Sequence, residues 1–224
     1  YDRGHMAPNA DMPTKAAQAD SFSLANMVPQ APKNNQQVWR ELEEATRAIV
    51  TKQKHDVYVV TGPTFTGKKL KTIGDNKVIV PTSVFKAIYI PKTGAIGAYY
   101  APNDNSLKVK VVSICYLEEQ LGMNIFPQLT EEQKRNIYKL PLNANSVKAH
   151  QEIPYGNWDA ESQCAEDVSK DQLLALQKKF KSDGLSQSSN NSESSQSGMD
   201  QSTLDAIVKQ LVEALLQYIL QLLR

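Results

Sequence analysis

His5, Asn35 and Glu43 are three residues whose types and spacing could do chemistry together. A histidine ordinarily titrates near neutrality and can take a proton from water. Asn35 stands thirty residues after His5 and can offer a neutral amide oxygen to a hard cation. Mg²⁺ prefers octahedral oxygen ligation and keeps several of its waters, so one protein ligand can suffice. Glu43 follows Asn35 by eight residues, about two helical turns, which places both on roughly one helix face. From there Glu43 can accept hydrogen bonds from the cation's waters. Arg47, one turn further, can face an anion or pair with Glu43, and Arg3 adds a cation two residues before His5. A base, a divalent cation and positive groups around a phosphate are what phosphodiester hydrolysis requires. Each residue also has a plainer role open to it. His5 can be a structural histidine, Asn35 a helix N-cap, Glu43 a solvated carboxylate beside Glu41 and Glu44, and Arg3 a partner of Asp2.

The elements that must position these residues are legible in outline. Pro8, Pro13, Pro29 and Pro32 make residues 1–32 loop-rich. Asn34 or Asn35 can cap the helix that follows, since Val38, Leu42, Ala45, Ile49 and Val50 recur at helical spacing up to about Lys52. Strands are expected at Asp56–Thr61, ending at Gly62-Pro63, and then at Lys77–Val80, Phe85–Ile90 and Leu107–Ser113. Short helices are expected up to Leu121, stopped by Gly122, and over 131–138 and 170–180. The fold class is therefore α+β, a mixed sheet with helices. Residues 183–199 are rich in Ser, Asn and Gln, too polar to bury anything, and read as a linker. In the last segment, 200–224, Leu204, Val208, Leu211, Leu215, Tyr218 and Leu222 mark an amphipathic helix suited to a homo-oligomer or to docking. Asp205, Lys209 and Glu213 interrupt it, so no membrane span is expected.

Composition excludes little. The net charge is +1, with 41% hydrophobic and 22% charged residues. Residues 1–142 carry 18 Lys+Arg against 13 Asp+Glu, and residues 143–224 carry 7 against 11, so the front half is modestly basic. Cys115 and Cys164 are the two cysteines, without a CxxC pair, which argues against zinc and leaves one disulfide or two separate thiols open. Gly62-Pro-Thr-Phe-Thr-Gly67-Lys68-Lys69 imitates a phosphate-binding GxxxxGK[ST] loop, but Lys replaces the final hydroxyl residue and no helix pattern follows. Lys68, Lys69 and Lys71 read as a solvated loop or as contacts to a polyanion backbone. Trp39 falls on an apolar helical position and is assigned to the core.

The strings DRGHMAPNADM, NMVPQAPKNNQQVWRELE, VYVVTGP, VPTSVFKAIY and LEEQLGMNIFPQL follow one another in order over roughly residues 1–140. Together they resemble the DNA/RNA non-specific endonucleases, a family of secreted bacterial, cyanobacterial and mitochondrial nucleases. DRGH alone would be a weak signal; DRGH with the Asn/Trp/Glu helix at this spacing is specific.

The resemblance implies a ββα-metal core, a hairpin plus a helix, with His5 as general base and Asn35 as direct ligand of Mg²⁺, for which Mn²⁺ can substitute. It places Asn26 and Glu43 at supporting positions and Arg3 and Arg47 at basic positions near the phosphate. The implied partners are DNA and RNA held by backbone contacts, with an inhibitor protein also open. The implied compartment is secreted or periplasmic, or alternatively mitochondrial. The nuclease domain is expected over 1–182. The family pattern has a substantial segment ahead of DRGH, whereas this chain begins at Tyr1 with no initiator Met, so a leader or segment is expected to be missing. The rival reading is a truncated, inactive nuclease-like protein that assembles through its C-terminal helix.

Overall fold

This computed structural model describes residues 1–166. The chain divides into two units, Tyr1–Asp167 and Val168–Arg224. The helix read at 170–180, the linker at 183–199 and the helix at 200–224 lie outside the described residues.

Residues 1–32 are more regular than their prolines imply. Strand β1 (Asp2–His5) pairs antiparallel with β2 (Met27–Gln30), in a register that sets His5 opposite Met27 and Asp2 opposite Gln30. Pro29 sits in this two-stranded ribbon, where a missing backbone donor is tolerated. Helix α1 (Lys15–Asp20) lies in the connection, with the Thr14 side chain accepting from Ala17 N as its N-cap.

A continuous helical run then spans 32–53. Its middle, α2 (Arg40–Ala48), is regular. The turns on either side, Asn34–Trp39 and Ile49–Gln53, are wider π turns. Leu42, Ala45, Ala48 and Ile49 are buried along one side, as the sequence periodicity requires. Lys54, in the left-handed conformation, ends the run.

The helix covers one face of a four-stranded antiparallel sheet in the order β3-β6-β7-β8. Strand β3 (Tyr58–Thr64) runs through Gly62 and Pro63 instead of stopping at them. It is an edge strand, where a proline is tolerated. Gly62 is needed because a Cβ there would meet the Phe85 ring at 2.9 Å. Only the first three residues of the imitation phosphate loop belong to the strand, and the loop is followed by β4 (Thr72–Ile73) and β5 (Val78–Ile79), a small separate ribbon, and not by a helix. The strand expected at Lys77–Val80 shrinks to this two-residue β5. Its turn uses left-handed Gly74 and Lys77.

Strands β6 (Ser83–Ile90) and β7 (Ala95–Pro102) are buried at nearly every position. Strand β7 has no counterpart in the sequence reading, since Ala95, Ile96, Gly97 and Ala98 are buried on both faces and show no alternation. Strand β8 (Lys110–Val112) is shorter than expected.

Period-two alternation divides β6 between two cores. Val84, Ile88 and Ile90 pack with Trp39, Leu42 and Ile49 under the helix. Phe85 and Ala87 pack with Ile114 and Leu117 of α3 (Ile114–Leu121) on the other face. Ser113 caps α3 and left-handed Gly122 ends it. Helix α4 (Glu131–Arg135) stops early and becomes β9 (Asn136–Tyr138), which pairs with β10 (Tyr155–Trp158). Cys115 and Cys164 are disulfide-bonded, which resolves the alternative the sequence left open. The architecture is α+β, as expected. Among the described residues no helix is long and apolar enough to cross a membrane.

Candidate active site

Strand β1 delivers Asp2, Arg3 and His5, and the helical run delivers Asn35, Glu43 and Arg47. A network of amides holds the two elements together. Gln30 Nε2 donates to Asn34 Oδ1, and Asn34 Nδ2 donates to Pro102 O at 3.0 Å, reaching the end of β7. Asn103 Oδ1 accepts from Ala31 N at 2.7 Å, while its Nδ2 donates to Pro29 O and Pro81 O, each at 2.9 Å. These bonds cross between β2, the helix start and the sheet, so the ribbon cannot shift without leaving buried polar groups unpaired. Gly4 belongs to the same design, because a Cβ there would occupy the space of the Gln30 side chain.

His5 is half-buried, its ring edge-on to Phe22 with centroids 4.7 Å apart. Its Nε2 is buried and has no hydrogen-bond partner among the described residues. Asn26 supports the strand end through the backbone. Its Oδ1 accepts from Ala7 N and its Nδ2 donates to Ala7 O and Ser21 O, all at 2.9 Å. Both ends of that amide are engaged, so Asn26 closes the loop behind His5.

Asn35 does not cap the helix, and neither does Asn34. The helical run starts at 32, with Pro32 in the first turn where its missing N–H is harmless. Both asparagine side chains make long-range bonds instead. Asn35 Nδ2 donates to Asp2 Oδ2 at 3.0 Å, and Gln36 Nε2 donates to the same oxygen at 2.8 Å. These bonds, Asn35's first, hold the Asp2 carboxyl below its usual range. Asn35 Oδ1 accepts no hydrogen bond among the described residues. The donor end of the amide is thus tied down and the acceptor end is left over, which suits a hard cation. Among the described residues no group of three or more His, Cys, Asp or Glu converges as a metal cluster would. A cation here would therefore rely on few protein donors and on its own waters, as Mg²⁺ does.

Glu43 is half-buried, and desolvation pushes its carboxyl up to about 7, opposed by the positive charge of Lys86. Arg47 pairs with Asp11, on the loop after β1, at 2.8 Å and forms no ion pair with Glu43. Arg3 is exposed and forms no ion pair among the described residues, with Asp2 or any other carboxylate. Lys68, Lys69 and Lys71 are exposed, and Lys71 Nζ stands 4.9 Å from the Tyr1 ring centroid, which brings that cluster beside β1.

The family model for DNA/RNA non-specific endonucleases matches residues 1–132, the stretch that holds every residue of this site. The chain belongs to that family. It is 37% identical over 153 residues to the mitochondrial nuclease EXOG of Danio rerio, covering 59% of this chain and 44% of that protein. A nuclease of Nostoc is 35% identical over 155 residues, covering 61% of this chain and 54% of that protein. Human mitochondrial endonuclease G is 34% identical over 147 residues, covering 58% and 49%. The chain thus spans about half the length of the curated relatives it matches. Among solved structures, EndoG in its complex with EndoGI, a structure addressing EndoG inhibition, aligns with a TM-score of 0.52 and 29% identity, over 60% of this chain and 62% of that one.

Sequence reasoning missed Asp2, Asp11 and Lys86. Asp2 and Asp11 lie inside the recognised DRGHMAPNAD string, and only tertiary contact reveals their partners. Lys86 carried a signal: it is a cation at a core-facing position of an otherwise apolar strand.

Proposed function

We propose that this chain is a metal-dependent endonuclease that hydrolyses phosphodiester bonds in DNA and RNA with little sequence preference. The observation that carries this reading is the turned amide of Asn35. Asp2 takes its N–H, and its oxygen is left unpaired among the described residues, on the helical run joined by that bond to the strand bearing His5. Asn35 Oδ1 would hold Mg²⁺ or Mn²⁺, and the ion supplies neutralisation of charge on the phosphate and the leaving oxygen.

The chain's own residues do the rest. His5 Nε2 is buried, so Nδ1 is the ring nitrogen assigned to take the proton of the attacking water. Asn26 fixes the loop behind the imidazole. Glu43 as a carboxylate orients water by accepting its hydrogen bonds. Exposed Arg3 meets a phosphate oxygen, and Arg47, already half engaged by Asp11, adds positive potential on the helix face. Contacts of this kind read the backbone and not the bases, so binding should weaken steeply with salt.

The mitochondrial relatives support a mitochondrial location over the secreted or periplasmic one, and the Cys115–Cys164 disulfide supports an oxidising compartment. An inhibitor protein and self-association through residues 200–224 belong to the same proposal.

The test is degradation of supercoiled plasmid and of RNA by the full chain with Mg²⁺ and with EDTA. Cleavage of both substrates that EDTA abolishes is the expected result. No cleavage of either would overturn the reading and favour the assembly protein.

A further inference from the structure

Residues 66–80 carry four lysines, Lys68, Lys69, Lys71 and Lys77, against a single acid, Asp75. All four are exposed, and none forms an ion pair among the described residues. Asp75 lies in the turn that Lys77 N closes by donating to Gly74 O at 3.1 Å, so it sits with Lys77. Lys68, Lys69 and Lys71 are left as the excess charge.

Strands β4 and β5 are two residues each, too short to hold themselves in place. Their base is braced from outside. Thr66 N donates to Thr82 Oγ1 at 3.0 Å, and Thr82 N donates to Thr64 O at 2.9 Å. The Asn103 Nδ2 bonds to Pro81 O and Pro29 O tie that base to the ribbon bearing His5. Lys71 makes a second link, with Nζ 4.9 Å from the centroid of the Tyr1 ring. The next residue, Asp2, holds Asn35 Nδ2 at 3.0 Å. Such bracing fixes where the charge sits, which charge serving only solubility does not need.

A strand rises about 3.3 Å per residue, so the four steps from His5 back to Tyr1 cover roughly 13 Å. Phosphates of one duplex strand advance about 3.4 Å each along the axis. We propose that residues 66–80 form a second nucleic-acid contact, a basic arm whose Lys68, Lys69 and Lys71 hold backbone phosphates about four nucleotides from the cut. The proposal rests on the role proposed for His5 and extends the same site. Lysines at this distance add affinity and salt dependence without reading sequence.

The test is binding of a fluorescent DNA duplex of two helical turns, about 20 base pairs, by the full chain in EDTA. Affinity is measured from about 50 to 200 mM salt. Lys68→Gln, Lys69→Gln and Lys71→Gln together should reduce the slope of log affinity against log salt by about 2–3, roughly 0.9 per phosphate contact. The control removes equal charge from exposed lysines elsewhere, by Lys54→Gln, Lys92→Gln and Lys148→Gln. Lys54 ends the helical run, Lys148 O accepts from Gln53 Nε2 and Lys92 follows the end of β6, whereas the arm leaves the sheet where Thr64 pairs with Ser83. The control slope should change by less than about 1. A change in the arm variant no larger than the control's overturns the proposal. If the triple variant does not fold, Lys68→Gln with Lys69→Gln decides on the same criterion, with an expected change of about 2. With Mg²⁺, the arm variant should cleave the long duplex more slowly than the parent, yet match the parent on a tetranucleotide too short to reach the arm. Equal losses on both substrates overturn the proposal. Binding needs no turnover: a chain with the predicted slopes that cleaves nothing would end the functional proposal alone, and a chain that cleaves with arm-independent slopes would end this one alone.

Discussion

Beneath α3, Glu118 and Lys134 meet at 3.1 Å with side chains 0% and 4% exposed, and the two Glu118 oxygens also accept from Ile125 N and Ala165 N. Beneath the helix of residues 32–53, on the opposite face of the same sheet, Lys86 is as deeply buried with a threonine and an indole ring for company. The α3 face has capped helix ends, a satisfied ion pair and a disulfide. The other face has two wide helical turns, a Trp39 Nε1 without a partner among the described residues and a carboxyl held out of its normal range. One face is built for stability. The other keeps polar groups uncompensated beside the proposed site, as sites of chemistry commonly do.

That contrast can be broken on the α3 face first. Lys134→Met strands a buried carboxylate and should cost about 3 kcal/mol, measured by urea unfolding. The pH profile of any cleavage by the folded variant should be unchanged. Reduction of Cys115–Cys164, which closes a loop with a sequence separation of 49, should cost roughly 2–4 kcal/mol. A fall of under ~1 kcal/mol in the unfolding free energy on reduction would deny that face its structural role.

On the helix face the effect should be smaller and pH-dependent. The folded Glu43 carboxyl sits above its ordinary 4.5, at about 7. A raised acid favours the folded state below its unfolded value and loses that benefit as pH rises through the folded one. The metal-free chain should therefore lose on the order of 2 kcal/mol between pH 4.5 and 7, a figure reduced for partial exposure. Glu43→Gln should remove that slope. A slope that persists would assign it to other groups. Smallest of all, Thr130→Ala removes the capping box of α4 and should cost about 1 kcal/mol, read from the shift in the unfolding midpoint.

The contrast also marks what could be read from the sequence. His5, Asn35 and Glu43 stand out because the chemistry proposed for them resides in residue type and spacing along one strand and one helix. The helix itself shows in Leu42, Ala45 and Ile49, and α3 shows in its Gly122 stop. Strand β7 does not, because small residues buried on both faces leave no period to detect. Residues 1–32 looked like loop because proline density hides a ribbon of two four-residue strands. The supposed cap at Asn34 or Asn35 failed because those amides are spent on Gln30, Pro102 and Asp2, partners up to 68 residues away. Charge partnerships such as Arg47 with Asp11 exist only after folding.

The most direct test of the account is His5→Ala against the unaltered chain, each with Mg²⁺, on supercoiled plasmid. The account predicts that the variant folds as well as the parent and loses at least about 10²-fold in cleavage rate, the contribution of a positioned general base. Cleavage by folded His5→Ala at the parent's rate would contradict it.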